Sequence, residues 1–138
     1  MKEKIIEEKS CGTIIIQNNE VLVIQQKNGD YGFPKGHMEA NETEIDTALR
    51  ETKEETNLDV EIMEHFRFTT KYINPNFNTL KECVFFIAKP LTTEVEKQIS
   101  EIAEIEWVSL FEVENRLTHS DLKQMWRLVI EEINNNSF

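Results

Sequence analysis

The stretch that decides the fold runs from Gly36 to Leu58 and reads GHMEANETEIDTALRETKEETNL. Asn41 is placed to cap a helix, with Glu44 three residues later in the manner of a capping box. The helix runs to about Thr56, and Asn57 is suited to a left-handed C-cap. At about 100° per residue, Glu51, Glu54 and Glu55 share one flank, within an arc of about 100°. Ile45, Ala48, Leu49, Thr52 and Thr56 form the face expected to be buried, and Arg50 falls beside Glu54. Like charges at these spacings weaken an isolated helix by about 0.2–0.5 kcal/mol per pair. Two readings are open at this level. The carboxylates form an ordinary solvated face with an Arg50–Glu54 surface pair, or they gather around a divalent cation. Clustered carboxylate oxygens suit Mg²⁺ or Mn²⁺, ions that also bridge to phosphates.

Working outward, residues 11–17 and 20–26 are β-branched runs joined by Asn18-Asn19, a pair that tolerates the positive φ of a tight hairpin. Residues 27–41 hold three of the four glycines and Pro34, and form the main loop. Strands are expected over 59–72 and 79–89, around a loop containing Asn74-Pro75-Asn76, and over 104–108. A short helix follows over 109–117. From Ser120 a final helix places Leu122, Met125, Trp126, Val129 and Ile133 on one face. This order predicts an α/β fold, a mixed sheet sandwiched between helices, as one domain over residues 1–138.

Composition narrows the partners. The 138 residues carry 15 Lys and Arg against 26 Asp and Glu, a formal charge of −11. Duplex nucleic acid needs basic side chains to neutralise its phosphates, so it is not the expected partner. A polyanionic small molecule needs an intervening metal. No membrane partner is expected, because the longest apolar run, Val84 to Ala88, is far short of a span. Met1 to Ser10 lacks a signal-peptide core. Cys11 and Cys83 have no metal-type spacing and are expected as reduced, buried thiols in a cytoplasmic protein.

The spacing Gly36-x5-Glu42-x7-Arg50-Glu51-x2-Glu54-Glu55 resembles the Nudix box, Gly-x5-Glu-x7-Arg-Glu-U-x-Glu-Glu-x-Gly-U, where U is bulky and aliphatic. Thr52 stands at an aliphatic position and Asn57 at the closing glycine; neither departure touches a carboxylate. The resemblance implies the Nudix α/β/α sandwich and hydrolysis of a nucleotide phosphoanhydride with Mg²⁺ or Mn²⁺. It further implies that the Gly36 carbonyl and Glu51, Glu54 and Glu55 hold metal, that Arg50 fixes a glutamate bidentately, and that Glu42 frames the loop-to-helix turn. Many members add a glutamate from a loop a few residues ahead of a Trp. Here Trp107 follows Glu101, Glu104 and Glu106, and Glu101 is the first choice as a further catalytic and metal-binding residue.

A narrower resemblance concerns the substrate. Phe33-Pro34-Lys35-Gly36-His37-Met38-Glu39, Ser10-Cys11-Gly12, Tyr72 and Glu101 resemble segments of the asymmetric bis(5′-nucleosyl)-tetraphosphatases, which split diadenosine tetraphosphate into ATP and AMP. On that likeness Lys35, His37 and Lys81 contact outer phosphates. Tyr72 stacks a base, with Phe77 as a second plate. Other Nudix substrates remain open: RNA 5′ ends, modified nucleoside triphosphates, or a nucleotide bound by a non-catalytic sensor module. His65 and His119 have no motif context.

Overall fold

The computed structural model describes residues 6–74 and 77–136. Strands β1 (Ile6–Gln17) and β2 (Glu20–Gln26) form the expected hairpin. Its two turn residues, Asn18 and Asn19, both take positive φ, 51° and 61°. Two short strands, β3 (Tyr31–Gly32) and β4 (Lys35–His37), lie inside the glycine-rich loop. Helix α1 (Glu44–Thr56) is followed by β5 (Val60–Asn74), β6 (Thr79–Pro90) and β7 (Ile102–Ser109), then α2 (Val113–Arg116) and α3 (Ser120–Asn135).

The described strands form a seven-stranded sheet along the path β3-β2-β1-β6-β5, with β4 on β1 and β7 on β2. It is mixed: β1 and β6 run parallel, and the other pairs are antiparallel. Alternation along each strand sends side chains to opposite faces. Cys11, Val84 and Phe86 meet Ala48 of α1 on one face. Ile14, Ile16, Phe85 and Ile87 meet Leu122, Met125, Trp126 and Val129 of α3 on the other, with Phe33 between them. Ile133, also expected on this face of α3, packs against the same cluster while only partly buried. The predicted α/β sandwich with a mixed sheet is therefore the observed one. Both cysteines are free thiols and buried.

The local expectations fare unevenly. Asn57 closes α1 in the left-handed conformation at φ 67°, its N–H reaching the Lys53 carbonyl. The start of α1 is two residues later than expected. Thr43, not Asn41, is the N-cap, and Asp46, not Glu44, completes the capping box. The cause is Glu42, whose carboxylate accepts the Glu39 N–H at 2.9 Å and folds 39–42 into a turn, with Asn41 at φ 68°. Leu49, expected to be buried, is 38% exposed, while Thr47 and Glu55 are buried. The wheel assigns faces to a free helix, whereas β4 and its following turn cover the Thr47 and Glu55 side. Strand β1 begins at Ile6, ahead of the expected start. Pro75 and Asn76 of the expected β5–β6 loop lie outside the described residues.

Candidate active site

Helix α1 lies against β1 and β4, so its carboxylate flank faces the short strand Lys35–His37. Arg50 organises that flank. Its Nε donates to Glu42 Oε2 at 2.7 Å and its Nη2 to Glu42 Oε1 at 3.0 Å, a bidentate grip. Nη1 donates to Glu51 Oε1 at 2.8 Å and more weakly to Glu54 Oε1 at 3.3 Å. Nη2 also reaches the His37 carbonyl at 3.0 Å. One guanidinium thus ties the loop, the helix start and two box carboxylates together, a geometry that the point charge of Lys would not reproduce. Arg50, seconded by the Glu39 N–H, lowers the Glu42 carboxyl to about 2.

The other carboxylates are held differently. The Glu51 carboxyl packs directly on Gly36, where a Cβ would collide with it. Glu55 is 4% exposed, and its Oε1 accepts the Lys35 N–H at 3.1 Å. Burial raises the Glu55 carboxyl to about 8; the Lys35 N–H opposes this, and the charges of Glu51 and Glu101 add to it. Glu51 is also raised, by burial first, with Arg50 opposing. Glu101 reaches the same field through tertiary packing. The segment after β6 donates its Glu96 and Gln98 N–H groups to the last carbonyls of α1, at 3.0 and 3.2 Å. Lys27 N–H then pins the Glu101 carbonyl at 3.0 Å. Among the described residues Arg50 and Lys35 are the cations whose charge acts on this set, Arg50 on Glu51 and Lys35 on Glu55. Among the described residues no three acidic, His or Cys side chains already converge at ligating distance, since Glu51 is turned to Arg50 and Glu55 to the Lys35 N–H. The donor set nevertheless fits a hard divalent ion: carboxylate oxygens gathered on one flank beside Gly36, two of them, on Glu51 and Glu55, raised in pKa first by burial.

A cleft of about 520 Å³ opens on the α3 face of the sheet. Its floor includes Thr70 and Tyr72 of β5 beside their cross-strand partners Cys83 and Lys81 of β6. Lys35 lines it from β4. Asp30, Tyr31, His119 and Asp121 line its rim. His119 Nε2 and Asp30 Oδ2 stand 2.9 Å apart and tie the β2–β3 loop to the start of α3. Lys35 belongs to both regions, its N–H on Glu55 and its side chain in the cleft.

The NUDIX domain family model matches residues 8–128, most of the chain. This chain is a Nudix family member. It is 30% identical over 131 residues to the asymmetrical bis(5′-nucleosyl)-tetraphosphatase of Sus scrofa, covering 83% of this chain and 88% of that protein. It is 35% identical over 103 residues to Nudix hydrolase 2 of Arabidopsis thaliana, of which it spans 36%. Among solved structures, a C. elegans Ap4A hydrolase binary complex superposes with TM-score 0.82 at 23% identity, over 94% of this chain and 99% of that one. A Nudix hydrolase from Nitrosomonas europaea superposes with TM-score 0.77 at 26% identity, over 97% and 76% of the two chains. The protein is accordingly a Nudix hydrolase, a nucleotide pyrophosphohydrolase of a family that generally uses divalent metals.

The two departures from the Nudix box have structural answers. Thr52 is fully buried, and its hydroxyl pairs with that of Thr13 on β1 at 2.7 Å, a sheet-to-helix tie that an aliphatic residue lacks. Asn57 supplies the left-handed cap and adds a side-chain hydrogen bond to the Glu94 carbonyl at 3.1 Å.

Of the residues singled out for the substrate, the structure brings Lys35, Tyr72 and Lys81 into one cleft and leaves His37 out. The His37 ring is exposed and 3.9 Å from Glu8. Phe77 is 72% exposed at the turn before β6 and does not line the cleft. Thr70, Asp30, His119 and Asp121 escaped sequence reasoning. Asp30 and His119 are 89 residues apart, and no local pattern signals their meeting.

Proposed function

We propose that this Nudix hydrolase cleaves dinucleoside tetraphosphates unequally, diadenosine tetraphosphate into ATP and AMP, with Mg²⁺ or Mn²⁺. The observation that carries the reading is the cleft that joins Lys35, Lys81 and Tyr72 and shares Lys35 with the carboxylate flank. The likeness to the Sus scrofa tetraphosphatase, which spans most of both chains, supports it. In this reading the Gly36 carbonyl, Glu51, Glu54, Glu55 and Glu101 hold the metal. Bound there, the ion supplies neutralisation of the anhydride charge and acidification of water.

The protein's own groups do the rest. Arg50 holds Glu42 and orients Glu51, so the flank keeps its spacing while charge changes. Gly36 leaves room for the Glu51 carboxyl at the strand. One carboxylate of the Glu51, Glu54, Glu55 and Glu101 set takes the proton of the attacking water. Lys35 and Lys81 bind outer phosphates as cationic donors. Tyr72, 45% exposed at the cleft floor, stacks one base. The carboxylate flank responds to any anhydride, so selection lies in where the base and outer phosphates are held relative to the attacked phosphorus. With one base on Tyr72, attack falls at a fixed phosphate count from that end.

The test is a panel of diadenosine tetraphosphate, nucleoside triphosphates and triphosphorylated RNA with Mg²⁺, products resolved by chromatography. ATP plus AMP in equal amounts is expected, with no turnover in excess chelator. ADP as the only product, or faster cleavage of the RNA, overturns the substrate reading.

A further inference from the structure

The cationic part of the cleft has an acidic neighbour. Lys81 on β6 pairs with Tyr72 on β5 and, across its other edge, with Glu8 on β1. The three residues form one row on the α3 face of the sheet, Tyr72 and Lys81 in the cleft and Glu8 one strand further on. Glu8 Oε2 stands 3.6 Å from Lys81 Nζ. The same oxygen is 3.9 Å from His37 Nε2, on β4 at the other side of β1. Both distances are longer than a charge-assisted hydrogen bond, and all three side chains reach water. Glu8 is thus a loosely held carboxylate shared between two nitrogen groups, one of them a cation of the cleft.

That sharing bears on what Lys81 can do. An ammonium that faces a carboxylate attracts a polyanion less than a bare one, and the carboxylate itself repels the incoming charge. A phosphate offers Lys81 shorter charge-assisted hydrogen bonds than Glu8 makes, so it can take the place of the carboxylate. The effect is confined to binding. Glu8 lies on the face of β1 opposite to Cys11, and it is the Cys11 face that meets α1.

We propose that Glu8 is a positioning residue that acts through Lys81: its carboxylate competes with an outer phosphate of the substrate for that ammonium, and so sets how tightly a polyphosphate binds. The inference rests on the reading of Lys81 as an outer-phosphate donor. Glu8 weakens binding without touching the reacting phosphorus, and its removal strengthens it. Exposed ion pairs of this kind are modest in strength, which bounds the gain at about two- to fivefold.

The test measures KM and kcat for diadenosine tetraphosphate with Mg²⁺ in the wild type, Glu8→Gln and Glu7→Gln. Glu7 is exposed, one residue earlier on β1, and on the opposite face, so its variant removes the same formal charge without reaching Lys81. Glu8→Gln is expected to lower KM about two- to fivefold at unchanged kcat. Glu7→Gln should leave KM at the wild-type value. On a Lys81→Ala background the Glu8→Gln gain should disappear. A KM that stays level or rises in Glu8→Gln overturns the inference, as does an equal gain in Glu7→Gln or a full gain without Lys81. Failure of the wild type to cleave the tetraphosphate overturns the proposed reaction instead. Calorimetric Kd values for ATP in EDTA on the same proteins then decide the role of Glu8, with the same expected ratios. An unchanged Kd in Glu8→Gln, or no binding of ATP to any of these proteins, overturns it.

Discussion

The carboxylate flank of α1 and the cleft on the α3 face are built in opposite ways. Every group on the flank except Glu101 comes from residues 35–57, so helix geometry and one loop set its spacing. Arg50 then cross-links it with hydrogen bonds to Glu42, Glu51, Glu54 and the His37 carbonyl. The cleft draws on the β2–β3 loop, β4, β5, β6 and the start of α3, elements from distant parts of the chain. Only two of its lining pairs, Tyr72 with Lys81 and Thr70 with Cys83, are set by strand register. In the proposed reading the flank is a local device that supplies chemistry. The cleft is then a tertiary one that supplies choice, and it can vary with loop sequence while the flank stays unchanged.

If that division holds, the largest effects come from the flank. Glu54→Gln or Glu55→Gln should lower turnover by about 10²–10⁴-fold at saturating Mg²⁺. Thermal midpoints should stay level or rise, because Glu54→Gln relieves like-charge repulsion and Glu55→Gln removes a carboxyl that burial keeps from ionising. Near wild-type turnover in either variant removes that residue from the chemistry.

The same flank should set a pH dependence of stability in chelator. The folded Glu55 carboxyl is raised to about 8 from an ordinary 4.5. Between those values the unfolded chain has released the proton that the folded protein retains. Stability therefore falls as pH rises through this window. Chemical denaturation in excess EDTA at several pH values checks the slope. Glu55→Gln should flatten it, and an unchanged slope would place its origin elsewhere.

The cleft should give smaller effects, confined to binding. Tyr72→Ala should raise KM for diadenosine tetraphosphate by roughly tenfold, the loss of one stacking contact, with kcat nearly unchanged. A fall in kcat with KM constant would break the contrast between the two regions.

The smallest expected effects concern the end of α1. Asn57→Val should cost about 1–2 kcal/mol of stability, because a β-branched residue resists φ 67°. Asn57→Gly relieves the conformational demand but loses the bond to the Glu94 carbonyl, so its thermal midpoint should move little. Equal tolerance of Val and Gly would show that the left-handed cap contributes nothing.

How much was legible follows the same line. The box spacing placed Glu51, Glu54 and Glu55 on one flank because helical periodicity depends on adjacent residues alone. The closing Asn57 was legible because few residues adopt positive φ. The helix start was misplaced by two residues, since Asn41 and Thr43 are both good caps and Glu42 decides between them through its hydrogen bond to the Glu39 N–H. Leu49 was misassigned because its exposure depends on what β4 covers. The partner of Thr52 is a hydroxyl 39 residues earlier, on β1.

The sequence by itself determined the α/β class, the Nudix box, the carboxylate flank and the αL end of its helix, all products of short-range geometry and backbone conformation. Only the tertiary structure decided that Arg50 grips Glu42 bidentately and that Glu55 is buried enough to hold its carboxyl near 8. It alone brought Lys35, Tyr72 and Lys81 together, left the His37 ring outside, and set Asp121 and Thr70 around the same cleft. The physical reason is that burial and contact between distant residues depend on how strands pair and helices dock, and no window of sequence records those distances.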